Sequence, residues 1–143
     1  MNVPRLVVDT SVIVAGLRSQ LGASNRILTL VAERQLVPLV TTALFLEYED
    51  VLNRPEQRLA TGMAMEDVVG FLAALASAAE PVDVHFMWRP QLADPADELV
   101  LEAAVNGRAS ANITHNVRDF LPAARDFKIE VITPSIMLQR MRK

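Results

Sequence analysis

Short apolar runs and longer segments of helical periodicity alternate along this chain. The run 5–8, which ends at Asp9, predicts a first strand that is buried on both faces. Residues 81–86 alternate Val82, Val84 and Phe86, which predicts a strand with one buried face. Helices separate these strands, so we expect a parallel sheet covered by helices on both faces. The other predicted strands are 36–40, 111–114 and 129–132.

The helices are predicted from apolar periodicity and from residues that start or stop helices. Residues 65–78, rich in alanine and leucine, are the clearest example. Asp94 and Pro95 predict the start of a helix that Gly107 ends. Residues 116–124 are predicted to be a loop with a short turn. The remaining predicted helices are 12–17 capped by Thr10 or Ser11, 24–35, 42–52, a short helix at 56–61, and one starting at Pro134.

Length and composition indicate one globular domain that spans residues 1–143, since 51% of the residues are hydrophobic and 22% are charged. The chain has no cysteine, which excludes disulfides and thiolate metal sites and fits a cytoplasmic protein. No segment is long enough to cross a bilayer, so we expect no membrane association. The net charge of −3 excludes a uniformly basic surface, and any nucleic-acid contact must use local basic patches.

Asp9 is the strongest candidate for chemistry. It ends a strand that we expect to be central, and open α/β sheets bind their ligands at the carboxyl ends of such strands. The alternative is that Asp9 caps the helix that follows. Thr10 and Ser11 can serve as caps too, so capping does not require an acid here.

Asp97 begins an apolar helix face, because Val100, Leu101 and Ala104 follow it at helical spacing. An acid on such a face must be paired, capped or bound to a metal. A box-like cap formed with Asp94 is the structural alternative, and both roles can hold together. Asp94 is interpreted as a cap that can support the site as a further acid. We expect the next acids of this helix, at positions 98 and 102, to point elsewhere.

Glu47 and Asp119 carry weaker signals. Glu47 borders the inner face of its helix while Glu49 lies further round, and a solvated acid is almost as good an interpretation. Asp119 follows the fourth strand, where a turn residue or a helix cap is the alternative.

Four acids that converge without matching bases call for a divalent cation. Two like charges about 4 Å apart repel by about 4 kcal/mol at an effective dielectric near 20, and one or two Mg²⁺ or Mn²⁺ ions reverse that balance. Such ions polarise a phosphodiester and lower the pKa of bound water. Thr114 and Asn116 lie close enough to the fourth strand to orient water or a metal ligand, whereas His115 is interpreted as a surface residue.

The order and spacing of these residues resemble the PIN-domain family of nucleases over nearly the whole chain. The small size is similar to that of the VapC-type ribonuclease toxins of prokaryotic toxin–antitoxin pairs. Many members have Asp where this chain has Asn116, which leaves the number of metal ions open. The matching segments are 6–11, 46–52, 94–104 and 113–120.

The resemblance implies a three-layer α/β/α fold with a five-stranded parallel sheet in the order 3-2-1-4-5. It implies an endoribonuclease that uses Mg²⁺ or Mn²⁺ to cut single-stranded RNA, forms a homodimer and is inhibited by a cognate antitoxin protein. The implied catalytic residues are Asp9, Glu47, Asp97 and Asp119, of which Asp9, Asp97 and Asp119 hold metal. The supporting residues are Ser11, Asp94, Thr114 and Asn116.

The sequence has two rival functional interpretations. A receiver-type phosphoacceptor domain needs a second acid after the first strand, where this chain has Thr10 and Ser11, and an acid at the end of the third strand, where none is found. A catalytically silent PIN-like module that only binds protein stays an alternative, although all four acid positions are filled.

Overall fold

The computed structural model describes residues 3–86 and 92–142, and these residues form a five-stranded, all-parallel sheet. The strand order 3-2-1-4-5 and the α/β/α fold are as predicted. Since the strands are parallel, their carboxyl ends meet at one edge of the sheet. The strands are β1 (Arg5–Val8), β2 (Val37–Val40), β3 (Glu80–Pro81), β4 (Ala111–Ile113) and β5 (Val131–Ile132).

Eight helices connect and flank these strands within the described residues. No single described helix is long and apolar enough to cross a membrane. The fourth and fifth helices together have the length and composition of a membrane span, but they are bent by 82° at their junction. The helices are α1 (Thr10–Arg18), α2 (Ala23–Ala32), α3 (Thr42–Leu52), α4 (Pro55–Thr61), α5 (Met65–Ala78), α6 (Pro95–Gly107), α7 (Val117–Phe127) and α8 (Pro134–Met141).

The core surrounds β1, the central strand of the sheet. Leu6, Val7 and Val8 are all buried, which explains why this strand is a continuous apolar run rather than an alternating one. Tyr48 of α3 and Phe120 of α7 are the largest side chains that are fully buried in the described residues. Packing on both faces of β1 therefore fixes the position of Asp9, the residue that follows this strand.

The strand predicted at 81–86 is wrong in extent, because β3 covers only the start of that range. Val84 and Phe86, which the alternation placed inside, are exposed. The backbone N–H groups of His85 and Phe86 donate to Asn106 Oδ1 of α6, at 2.8 and 2.9 Å. The Asn106 side chain therefore accepts hydrogen bonds from these two N–H groups, which in a longer β3 could have donated to a neighbouring strand.

The loop predicted at 116–124 is also wrong, since α7 occupies most of that range. Pro122 lies inside this helix, and a proline there removes a backbone donor. The helix nevertheless buries Phe120 and Ala123 against the core, each to 1% exposure. Tertiary packing of one apolar face outweighs the local cost of the proline.

α6 ends at Gly107, as predicted, but Gly107 is not the left-handed residue at the helix end. The left-handed C-cap is Arg108, with φ of 53°. Gly107 instead permits close packing, because a Cβ there would come within 3.0 Å of Leu39 Cδ1 and of Val82 Cγ2. The absence of a side chain lets α6 rest directly on the sheet.

Candidate active site

Asp9 lies at the carboxyl end of β1 and is only 5% exposed. It occupies the N-cap position of α1, so the prediction of Thr10 or Ser11 as the cap is wrong. Its carboxylate makes no capping hydrogen bond to the helix. Instead, Ser11 Oγ and Thr114 Oγ1 both donate to Asp9 Oδ2, at 2.6 and 2.7 Å. The acid therefore does not serve the helix, and two hydroxyls fix its orientation.

Tyr48 ties α3 to the strand that carries Asp9. Its hydroxyl donates to the Val8 carbonyl oxygen, one residue before the acid. Complete burial raises the pKa of Tyr48, and the charge of Asp9 raises it further. Tyr48 therefore remains a neutral donor at all ordinary pH values, and it holds α3, with Glu47, beside the end of β1.

Asp97 lies in the first turn of α6 and is 9% exposed. Desolvation by burial raises the pKa of Asp97 to about 6, and the negative charges of Asp9, Asp94, Asp119 and Glu98 add to that rise. Coulomb interactions weaken with distance and with solvent screening, so these carboxylates share one region. Acids that follow β1 or lie at the starts of α6 and α7 thus act together on the Asp97 carboxylate.

Asp94 caps α6 as predicted, since its Oδ1 accepts a hydrogen bond from the Ala96 N–H at 2.9 Å. The reciprocal half of the predicted box is not formed. Within residues 3–86 and 92–142, no group donates a hydrogen bond to the Asp97 carboxylate. A nearly buried acid without a local donor suits a cation or a substrate as its partner.

Asp119 and Asn116 lie on the exposed side of this region. Asp119 is in the first turn of α7 and its side chain is exposed, yet its charge reaches Asp97. Asn116 is the N-cap residue of α7, and its side chain makes no capping bond. Its backbone N–H donates to Thr114 Oγ1 at 3.0 Å, which completes a chain from α7 through Thr114 to Asp9.

Glu47 is half-buried on α3, whereas Glu49 is exposed, in the order that helical periodicity predicted. The charge of Glu47 is not among those that raise the pKa of Asp97. It acts instead on Arg54, whose pKa is raised first by a hydrogen bond to Asp50 and further by the charges of Asp50 and Glu47. Glu47 thus lies at the margin of the acidic region rather than at its centre.

The expectation that the acids of α6 beyond Asp97 point elsewhere is wrong. Glu98 and Glu102 are 4% and 6% exposed, because α6 is buried on most of its circumference. Glu98 Oε1 accepts a hydrogen bond from the Leu92 N–H at 2.7 Å. This bond fastens the chain just before α6 and supports the position of Asp97.

The donor chemistry of this region fits a hard divalent cation bound partly through water. In the part of the chain that the structure describes, no group of three or more His, Asp or Glu side chains is arranged to hold a metal ion directly. Mg²⁺ typically keeps several waters and binds through one or two carboxylates, with substrate phosphates supplying the rest. Asp9 and Asp97 offer such carboxylates, and Asp119 lies within electrostatic reach.

The all-parallel sheet in this order, with acids near the carboxyl end of its central strand, is consistent with a PIN-like α/β/α fold. The family model of the PIN domain matches residues 5–118, from β1 to the first turn of α7, and the chain belongs to the PIN-domain family. No curated protein matches this chain. PIN domains are generally hydrolytic nucleases that typically use divalent metal ions.

Proposed function

We propose that this protein is a metal-dependent endoribonuclease that hydrolyses phosphodiester bonds of single-stranded RNA. The observation that carries the proposal is the group of carboxylates around Asp97, called the acid pocket below, where burial first and then the charges of Asp9, Asp94 and Asp119 raise the pKa of a nearly buried acid. Structural carboxylates are normally paired with bases, because unpaired buried charge is costly. A group of acids that repel one another is instead typical of a functional site.

Asp9 is the fixed point of the proposed site. Both hydroxyl donors bind Oδ2, so Oδ1 is the oxygen left to face a ligand. Thr114 is 0% exposed, so water cannot easily replace its hydroxyl. A carboxylate held in this way loses little conformational entropy when it binds a ligand, which favours tight and well-oriented binding.

Asp9, Asp97 and Asp119 are the proposed metal-holding residues. When bound there, Mg²⁺ or Mn²⁺ would neutralise the acids, polarise the phosphodiester and make water a better nucleophile. No side-chain nucleophile is required in this scheme. Glu47 is proposed to border the site from α3, and Ser11, Asp94, Thr114 and Asn116 hold the acids and the helix starts in place.

The small domain also supports the proposal of a cytoplasmic toxin that works with an antitoxin protein. Exposed apolar side chains occur on α3 and α4 and in the first part of α5, and they are candidate contacts for either a second copy of the chain or the antitoxin. These side chains are Leu46 (54% exposed), Leu59 (85%), Met65 (62%) and Val69 (66%).

Cleavage of labelled single-stranded RNA by the purified protein, with added Mg²⁺ or Mn²⁺, tests the proposed activity. We expect Asp9→Asn and Asp97→Asn each to lower cleavage by about a hundredfold or more while leaving the fold intact. Asp126→Asn, which changes an exposed acid near the end of α7, is the matched control and should cleave normally. Full cleavage by the Asp9→Asn protein would overturn the proposal.

The toxin role requires a separate experiment. Expression of the protein in a bacterial host should arrest growth, and co-expression of the product of a small neighbouring gene should relieve the arrest. Mapping of RNA ends before and after induction would show which RNA is cut. Growth that is equal for the wild type and for Asp9→Asn would exclude a toxin role but not RNA hydrolysis.

A further inference from the structure

The imidazole of His115 is fixed by a hydrogen bond from another part of the chain. Its Nε2 lies 2.6 Å from Ser24 Oγ, across 91 residues of sequence. Ser24 is the second residue of α2 and is only 4% exposed, whereas the His115 side chain is exposed. A buried hydroxyl that holds an exposed ring limits the ring's rotation, and surface histidines do not usually have such a constraint.

His115 is also connected to the acid pocket through its neighbours. It follows Thr114 directly, and the Thr114 hydroxyl donates to Asp9 Oδ2. The backbone N–H of His115 faces Ser11 Oγ at 3.5 Å, and Ser11 Oγ donates to the same Asp9 oxygen. His115 is therefore the next residue after Thr114, whose side chain contacts the Asp9 carboxylate.

The short segment around His115 offers hydrogen-bond donors and a positive charge beside the acids. Between Thr114 and Arg118 it carries no carboxylate, and His115, Asn116 and Arg118 are all exposed. Asp119 follows this segment directly, and its charge acts on Asp97 together with those of Asp9 and Asp94. A polyanionic strand is repelled by carboxylates, so it would approach the pocket across the side that offers hydrogen-bond donors and positive charge.

We propose that His115 binds the RNA backbone beside the scissile phosphate, and that Ser24 is a positioning residue that holds the His115 ring. The inference rests on the proposed RNA hydrolysis. In the arrangement that follows, the Ser24 hydroxyl donates to Nε2, and Nδ1 carries the hydrogen that donates to a phosphate oxygen. His115 thus contributes to substrate binding rather than to the hydrolytic step.

Four variants test this inference. His115→Ala removes both ring nitrogens, His115→Asn keeps a donor near the position of Nδ1, and Ser24→Ala removes only the hydroxyl that holds the ring. His85→Ala is the matched control, because the His85 side chain is exposed on the segment held by Asn106 and only its backbone N–H is used there. The readouts are KM and kcat for RNA cleavage, RNA affinity measured in EDTA by fluorescence anisotropy, and Tm.

We expect His115→Ala to raise KM and to weaken RNA binding by about tenfold, because a hydrogen bond to a charged phosphate is lost. Ser24→Ala should have the same effect to a smaller degree, His115→Asn should recover part of the affinity, and kcat should change little in all of them. His85→Ala should match the wild type in every readout.

Two results would overturn the inference and leave RNA hydrolysis standing. One is normal KM and RNA affinity in His115→Ala while Asp9→Asn is inactive. The other is a lower Tm in both His115→Ala and Ser24→Ala with unchanged RNA affinity, which would show that the pair only holds α2 against the segment after β4. If the wild type cleaves no RNA, the proposed function and this inference fall together.

Discussion

The hydroxyl of Thr114 donates to Asp9 Oδ2 at 2.7 Å and joins two residues that are 105 positions apart in the sequence. The bond exists because β1 and β4 are neighbours in the sheet, with Val8 opposite Ile113. Each strand therefore presents its next residue at the same edge. The orientation of the central acid depends on strand pairing rather than on its local sequence.

We predict that Thr114→Val impairs both activity and stability. Valine has nearly the same shape, but it removes a donor from a charged acceptor at a site with 0% exposure. The free energy of unfolding should fall by about 1–3 kcal/mol. RNA cleavage should fall by about tenfold or more, because Asp9 loses one of its two fixed donors. Urea denaturation and initial cleavage rates measure the two effects.

Thr114→Ser is the matched control for that change. Serine keeps the hydroxyl, so cleavage should stay within a fewfold of the wild type, although the lost methyl group lowers stability slightly. Equal cleavage rates in the Thr114→Val protein and the wild type would show that this hydrogen bond is not needed for activity.

Asp97→Asn should stabilise the metal-free protein at neutral pH. The folded-state pKa of Asp97 is about 6, above the ordinary value of 3.8, so the folded protein binds this proton more tightly than the unfolded chain. The ionised form therefore costs stability, and the cost develops as the pH rises from about 4 to about 6. After allowance for solvent screening, the gain from asparagine is about 1–2 kcal/mol.

Urea denaturation in EDTA at a series of pH values checks that prediction. The difference in unfolding free energy between Asp97→Asn and the wild type should be largest at pH 7 and above, and should shrink toward pH 4. A difference that is constant over this range, or that grows at low pH, would show that the acid pocket does not perturb Asp97.

Divalent cations should stabilise the wild type more than the acid variants. A cation that binds only the folded protein raises its stability by about 2.7 kcal/mol at a concentration one hundred times Kd. For a domain of this size that corresponds to a rise in Tm of about 5 °C or more. Thermal melts with and without Mg²⁺ or Mn²⁺ should show this rise in the wild type and not in Asp9→Asn. An equal rise in both proteins would place the cation elsewhere.

Glu47 and Glu49 provide a matched pair on one helix. Glu47 is half-buried and Glu49 is exposed, so we expect Glu47→Gln to lower RNA cleavage and Glu49→Gln to leave it unchanged. The loss for Glu47→Gln should be smaller than that for Asp9→Asn, since Glu47 lies at the margin of the acidic region. A larger loss in Glu49→Gln than in Glu47→Gln would show that the site lies beside the Glu49 face of α3 and would contradict the prediction.

Most of the fold could be predicted from periodicity, because it depends on apolar faces that are visible in the sequence. The errors have a common cause in tertiary contacts. Asn106 takes the backbone donors of residues 85–86, and the burial of Phe120 sustains a helix through Pro122. Both contacts join segments that no local pattern connects.

The acids could be proposed from their positions, and the family resemblance indicated Ser11 and Thr114 as supporting residues, but the hydrogen bonds themselves could not be predicted. That Asp9 would occupy an N-cap position without capping depends on Thr114, which only strand pairing brings near. The contact between His115 and Ser24 has no local sequence signal, because it joins the segment after β4 to the first turn of α2. Distant pairs of this kind are set by topology.

Gly107 has a consequence for the opposite end of its helix. It lies ten residues beyond Asp97, which is about 15 Å along a helix. A side chain at Gly107 would require Leu39 and Val82 to give by a few tenths of an ångström, or α6 to lie further from the sheet. Because a helix moves largely as one body, a shift at this end would also move its first turn. The position of the Asp97 carboxylate therefore depends on glycine at the opposite end of the same helix.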